Sequence, residues 1–139
     1  MFLIILLLHF IICFIEDKDT NYHSYGKIIK IKDIYNLIDV GDSNKIRIWD
    51  FNNKILIKSI TSSNENGFGG FIIINNLYLL IGSFSSDIQV YNIKSGLMIK
   101  QFKKHKERIL GIKSITDKNN KQYFLSYGQD RHIYLWELS

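Results

Sequence analysis

Three stretches of this chain end alike. Arg47-Ile48-Trp49-Asp50, Gln89-Val90-Tyr91-Asn92 and Tyr134-Leu135-Trp136-Glu137 each place an aromatic residue near the end of an apolar run, 42 and 45 residues apart. A glycine-containing turn precedes each one, at Gly41 to Lys45, Gly82 to Asp87 and Gly128 to His132, and a further apolar run precedes each turn, at 35–40, 77–81 and 122–127. Short apolar runs punctuated by Gly, Asn, Asp and Ser predict antiparallel strands in a meander rather than helices. A unit recurring at this period is too small to bury its own faces, so the copies must stack on one another.

The turn chemistry predicts strands near 27–33, 35–41, 45–51 and 54–60 in the first copy, and near 70–75, 77–83, 88–93 and 97–102 in the second. The third copy has strands near 108–115, 122–127 and 132–137. Asn52-Asn53 and Lys94-Ser95-Gly96 sit at hairpins, where Asn and Gly accept positive φ at low cost. Gly67-Phe68-Gly69-Gly70 lacks the Lys-Ser/Thr of a phosphate loop and reads as a flexible connection between copies.

In the third copy, His105 is followed by Ile109 and Ile112, and Ser126 precedes Asp130 by four residues and Trp136 by ten. This spacing resembles a WD repeat, the four-stranded blade of a β-propeller. The resemblance covers about residues 23–139 and is strongest in the third copy. The first keeps Trp49-Asp50 but has Asp39 and Ser43 at the usual Ser and Asp positions, with His23 one residue out of register. The second has Ile81, Ser85 and Tyr91 at those positions and no matching histidine. The resemblance implies an all-β fold of WD40-type propeller blades, each a four-stranded antiparallel meander, in an incomplete propeller. The expected division is an apolar segment at 1–22 and blades at 23–63, 64–104 and 105–139.

Taken alone, His105, Ser126 and Asp130 also suit a serine hydrolase, in which a base activates a hydroxyl and a carboxylate orients the base. No strained elbow of the Gly-x-Ser-x-Gly kind exposes Ser126, however. The family resemblance instead makes His105, Ser126, Asp130 and Trp136 a structural tetrad, one hydrogen-bonded chain that satisfies buried polar groups and pins loops to strands. No catalytic residue, cofactor or metal site is expected. Glu16, Asp17 and Asp19 lack the glycine and distal Glu of a calcium loop, and His9, His23 and His132 have no paired ligands at metal spacing.

The net charge of +5 permits an acidic partner, though lysines spread along strands (Lys27, Lys30, Lys32, Lys45, Lys54, Lys58) also fit solvated outer faces. Nucleic acid and small-molecule substrates are not expected partners. A single cysteine, Cys13, excludes an intrachain disulfide and suits a reducing, cytoplasmic setting. Residues 1–15, MFLIILLLHFIICFI, have neither a basic leader nor a small-residue cleavage site, and fall short of the roughly 20 apolar residues of a span. They admit three readings: an outer strand, an atypical signal or membrane anchor, or an artefact of the gene model.

In an antiparallel blade the second-to-third turn and the connection from the preceding blade emerge at one end. This predicts a rim of Lys104, Lys106, Arg108, Gln129 and Arg131, suited to an acidic or phosphorylated peptide. Closed propellers take four to eight blades, so two apolar faces are expected to stay open, pointing to self-association or further blades. The reading is a protein-interaction scaffold. The alternatives are a membrane-anchored or secretory-pathway WD-repeat protein held by residues 1–15, and the hydrolase above.

Overall fold

The computed structural model describes residues 24–41, 44–62 and 66–137. The apolar run at 1–15, His23 and Ser43 lie outside the described residues. Eleven strands follow one another: β1 (Ser24–Ile31), β2 (Ile34–Gly41), β3 (Lys45–Asp50), β4 (Ile55–Thr61), β5 (Phe68–Ile74), β6 (Tyr78–Ser83), β7 (Asp87–Asn92), β8 (Met98–Lys103), β9 (Ile109–Thr116), β10 (Gln122–Gly128) and β11 (Ile133–Glu137). They form three sheets, β1-β2-β3-β4, β5-β6-β7-β8 and β9-β10-β11, each pairing sequential neighbours antiparallel. Every strand expected from the sequence is present. No helix occurs among the described residues, and the three sheets do not close into a ring.

Period-two alternation explains how the sheets stack. On β6, Leu79 and Ile81 belong to the apolar cluster shared with blade one, with Ile38, Val40, Ile46 and Ile48, while Leu80 belongs to the cluster shared with blade three, with Ile109, Ile112 and Phe124. Blade two is thus covered on both faces, so β6 and β7 are almost wholly buried. A strand covered on both sides reads as a continuous apolar run rather than an alternating one.

The hairpin between β5 and β6 puts Asn75 and Asn76 at φ 53° and 52°, with Leu77 N–H donating to the Ile74 carbonyl at 3.1 Å. Asn tolerates this left-handed pair, and its twist matches that of the flanking strands.

Two expectations need correction. Phe68, Gly69 and Gly70 are not a flexible connection but the start of β5, and Phe68 is fully buried. A Cβ built on Gly69 would lie 2.1 Å from the Ile109 carbonyl oxygen. Glycine stands there because the innermost strands of blades two and three meet backbone to backbone. The second correction concerns the open faces. On blade three the face away from blade two exposes Ile133 (72%) and Leu135 (66%), as expected. On blade one, Leu37, between Ile28 and Trp49 across the ladder, is buried, and Asp39 is buried in an ion pair with Arg47 at 2.8 Å. A buried charge pair across β2 and β3 thus stands on that face.

Candidate functional site

His105 lies in the connection from β8 to β9, Ser126 in mid-β10, Asp130 in the β10–β11 turn and Trp136 on β11. Phe124 and Ser126 pair across the ladder with Trp136 and Tyr134, so all four share the face turned toward blade two. There the Trp136 ring stacks on Phe124 at 5.7 Å and tilts against Phe102 of blade two at 5.2 Å. The indole N–H donates to Ser126 Oγ at 2.9 Å, and His105 Nε2 stands 2.8 Å from the same oxygen. His105 Nδ1 lies 3.0 and 2.9 Å from Asp130 Oδ1 and Oδ2.

The chemistry of each partner orders the protons. A carboxylate only accepts, so His105 Nδ1 carries hydrogen and donates to Asp130. Ser126 Oγ receives the indole N–H and turns its own hydroxyl hydrogen to Nε2. Every polar atom in the chain has a partner, and Ser126 and His105 are buried.

Asp130 carries the most perturbed carboxyl described. Burial raises its pKa, but hydrogen bonds from the Lys106 N–H, the His105 ring and the His132 N–H, with the field of the imidazole, outweigh that and hold it at about 2. The Lys106 and His132 amides reach it at 2.9 and 3.2 Å. Gly128 makes room for the set, since a Cβ there would sit 2.8 Å from the Arg108 carbonyl oxygen and 3.0 Å from His105 Nδ1. Arg131 takes φ 62° to complete the turn.

The five rim residues all lie exposed at this end of blade three. Lys104 and Lys106 flank His105 in the chain, Gln129 and Arg131 flank Asp130, and the Gln129 N–H donates to the Arg108 carbonyl at 2.9 Å. Two aromatic supports escaped the sequence reading. Lys104 Nζ sits 4.9 Å over the Tyr134 ring, and the Arg108 guanidinium 5.3 Å over Phe84 of blade two. Tyr134 also stacks with His132 at 5.6 Å, and the His132 Nδ1 donates to the Asp130 carbonyl at 2.7 Å. Alternation on β11 was the available signal, because Tyr134 shares its face with Trp136.

No protein-family model matches the chain. It is 28% identical over 125 residues to a BTB/POZ-domain and WD-repeat protein of Acanthamoeba polyphaga mimivirus, covering 88% of this chain and 22% of that one. It is 30% identical over 82 residues to U3 small nucleolar RNA-associated protein 21 of Saccharomyces cerevisiae, covering 58% of this chain and 9% of that one. The solved WD40 repeats of RRP9 superpose with TM-score 0.63 at 16% identity, over 74% of this chain and 32% of theirs. This chain folds as WD40-type blades. The computationally designed Ika4 protein also superposes, with TM-score 0.62 at 12% identity, over 81% of this chain and 64% of that one. The WD40 blades here span under a quarter of the length of either curated relative.

Blade two carries a different network, of which only Tyr91 stands at a WD40 tetrad position. Tyr91, at the tryptophan position, donates its hydroxyl to Gln89 Oε1 at 2.8 Å, and Ser62 from the β4–β5 connection donates to the same oxygen at 2.9 Å. Gln89 Nε2 donates to Asp87 Oδ2 at 3.2 Å, and Gln101 donates to that oxygen from β8. The task is the same: a side chain from the incoming connection is tied to the third strand. Asp87, Gln89 and Tyr91 at alternate positions were the signal in the sequence. Burial raises the Tyr91 pKa, and the Asp87 charge adds to this against the opposing Ser62 hydrogen bond. WD40 repeats serve generally as protein-interaction scaffolds.

Proposed function

We propose that this chain presents the rim of blade three to an acidic or phosphorylated peptide and has no catalysis of its own. The observation that carries the reading is an alternation of buried and exposed neighbours. Each buried member of the His105–Asp130 pair is flanked in sequence by exposed rim residues, so the bonds that close the tetrad also set the spacing of the rim. The rim end also carries an excess of positive charge. The β8–β9 connection and β10–β11 turn carry Lys104, Lys106, Arg108 and Arg131 against Glu107 and Asp130. An excess of positive charge there attracts an anionic partner and raises its association rate.

The catalytic alternative founders on access. Ser126 Oγ is fully buried against blade two and already accepts the indole N–H, so an acyl group has no approach. The exposed Ile133 and Leu135 side chains support further blades, from this chain's partners or a larger propeller, as the cover for blade three.

The test is titration of the full chain with an acidic phosphoserine peptide and its serine counterpart. The reading expects tighter binding of the phosphorylated form, weakened about tenfold or more by Lys104→Glu with Arg131→Glu. Equal affinity for both peptides and indifference to those substitutions would dismiss it.

A further inference from the structure

β4 and β8 occupy equivalent places as the outer edge strands of blades one and two. At the end opposite the basic rim, three consecutive apolar residues at the start of β4, and three more running from just before β8 into it, all face solvent. Ile55, Leu56 and Ile57 are 60, 42 and 53% exposed, and Leu97, Met98 and Ile99 are 66, 45 and 53% exposed. Lysines close both triplets, Lys54 and Lys58 around the first and Lys94 and Lys100 around the second, and neither segment contains a carboxylate. The two segments meet at their flanks. Lys58 Nζ donates to the Lys94 carbonyl at 2.5 Å, and a Cβ on Gly96 would lie 3.1 Å from the Lys58 side chain and 3.4 Å from Ile60. The nearby Asp50 carboxylate is engaged by the Asn52 and Asn53 amides at 2.9 and 3.0 Å.

Lysine on an edge strand discourages strand-to-strand aggregation. That role explains the lysines but not six protruding apolar side chains between them. A protein groove is a poor match as well, because lysine is depleted at protein interfaces and these residues form a protruding edge. Apolar side chains that enter a bilayer shallowly, with lysines at the level of anionic headgroups, fit both features.

We propose that the 54–58 and 94–100 edge of blades one and two docks on an anionic phospholipid surface, leaving the basic rim of blade three turned away from it. The proposal is independent of the peptide reading of that rim. The test is co-sedimentation of the full chain with phosphatidylcholine vesicles and with vesicles containing about a third phosphatidylserine. Every variant keeps residues 1–15, so their contribution is common to all. The full chain is expected to pellet with the anionic vesicles and to be released by salt. Leu97→Ser with Ile99→Ser, and separately Lys94→Glu with Lys100→Glu, should each lower partitioning about tenfold or more at an unchanged melting temperature, since all four side chains are exposed. Lys104→Glu with Arg131→Glu should leave it unchanged. Equal pelleting with neutral vesicles, partitioning indifferent to the edge substitutions, loss of binding in the rim variant, or an acidic protein partner protecting this edge while vesicles do not would overturn the proposal.

Discussion

His105 reaches both carboxylate oxygens of Asp130 through one nitrogen, at 3.0 and 2.9 Å, and this pairing joins the connection entering blade three to the turn between its last two strands. Removing the ring takes the acceptor from the Ser126 hydroxyl and a donor from the Asp130 carboxylate, two buried bonds at once. A buried polar group left without its partner costs about 1–3 kcal/mol. His105→Ala is therefore expected to lower the urea midpoint and melting temperature by an amount in or above that range. Unchanged denaturation would show the ring to be dispensable.

The Asp130 charge ties stability to acidity. Its folded pKa of about 2 lies below the ordinary 3.8, so the carboxylate binds protons less readily folded than unfolded. Its stabilisation is present in full above pH 3.8 and is lost as pH falls through 2. The melting temperature of the parent should exceed that of Asp130→Asn above pH 4, and the gap should narrow toward pH 2. A gap independent of pH would remove the charge from the account.

Gly69 is a packing glycine, and substitution tests this directly. Gly69→Ala would drive a methyl group into the Ile109 carbonyl, a backbone atom that cannot swing aside. Overpacking of this kind costs about 1–3 kcal/mol. Gly26→Ala meets only Leu37 Cδ1 at 3.5 Å and should be tolerated far better. Equal urea midpoints for the two variants would contradict a backbone-to-backbone contact between blades two and three.

In blade two, Gln89 receives two hydrogen bonds on one oxygen. Tyr91→Phe removes one donor and leaves Gln89 Oε1 with Ser62, a loss of about 1 kcal/mol. Gln89→Leu orphans the buried Tyr91 hydroxyl and takes a donor from Asp87, and should destabilise more. The comparison is made by urea unfolding, and an order reversed from this would place the network's weight elsewhere.

Much of the fold was legible because the aromatic positions Trp49, Tyr91 and Trp136 lie a blade apart, and because Asn and Gly mark hairpins by their tolerance of positive φ. The His105–Ser126–Asp130–Trp136 spacing was legible for a similar reason, since each member must be of one residue type to donate or accept as it does. What escaped has no such signature. Glycine reads alike in a linker and in a tight strand contact, so Gly69 was misjudged. Gln89 replaces a histidine-centred network with an amide-centred one, which no fixed spacing announces. The Asp39–Arg47 pair puts a cross-strand charge pair on a face expected to be apolar, which strand periodicity alone does not announce. Tyr134 supports Lys104 across a gap that only the folded turn defines.

The account rests on His105 and Trp136 acting as one structural unit through Ser126 Oγ. A double-mutant cycle in urea, with His105→Ala, Trp136→Phe and both together, measures that unit most directly. Neighbours in one hydrogen-bond network couple by about 0.5–3 kcal/mol, and the account predicts a value in that range, the double variant losing less than the two single losses added. Strict additivity would contradict it.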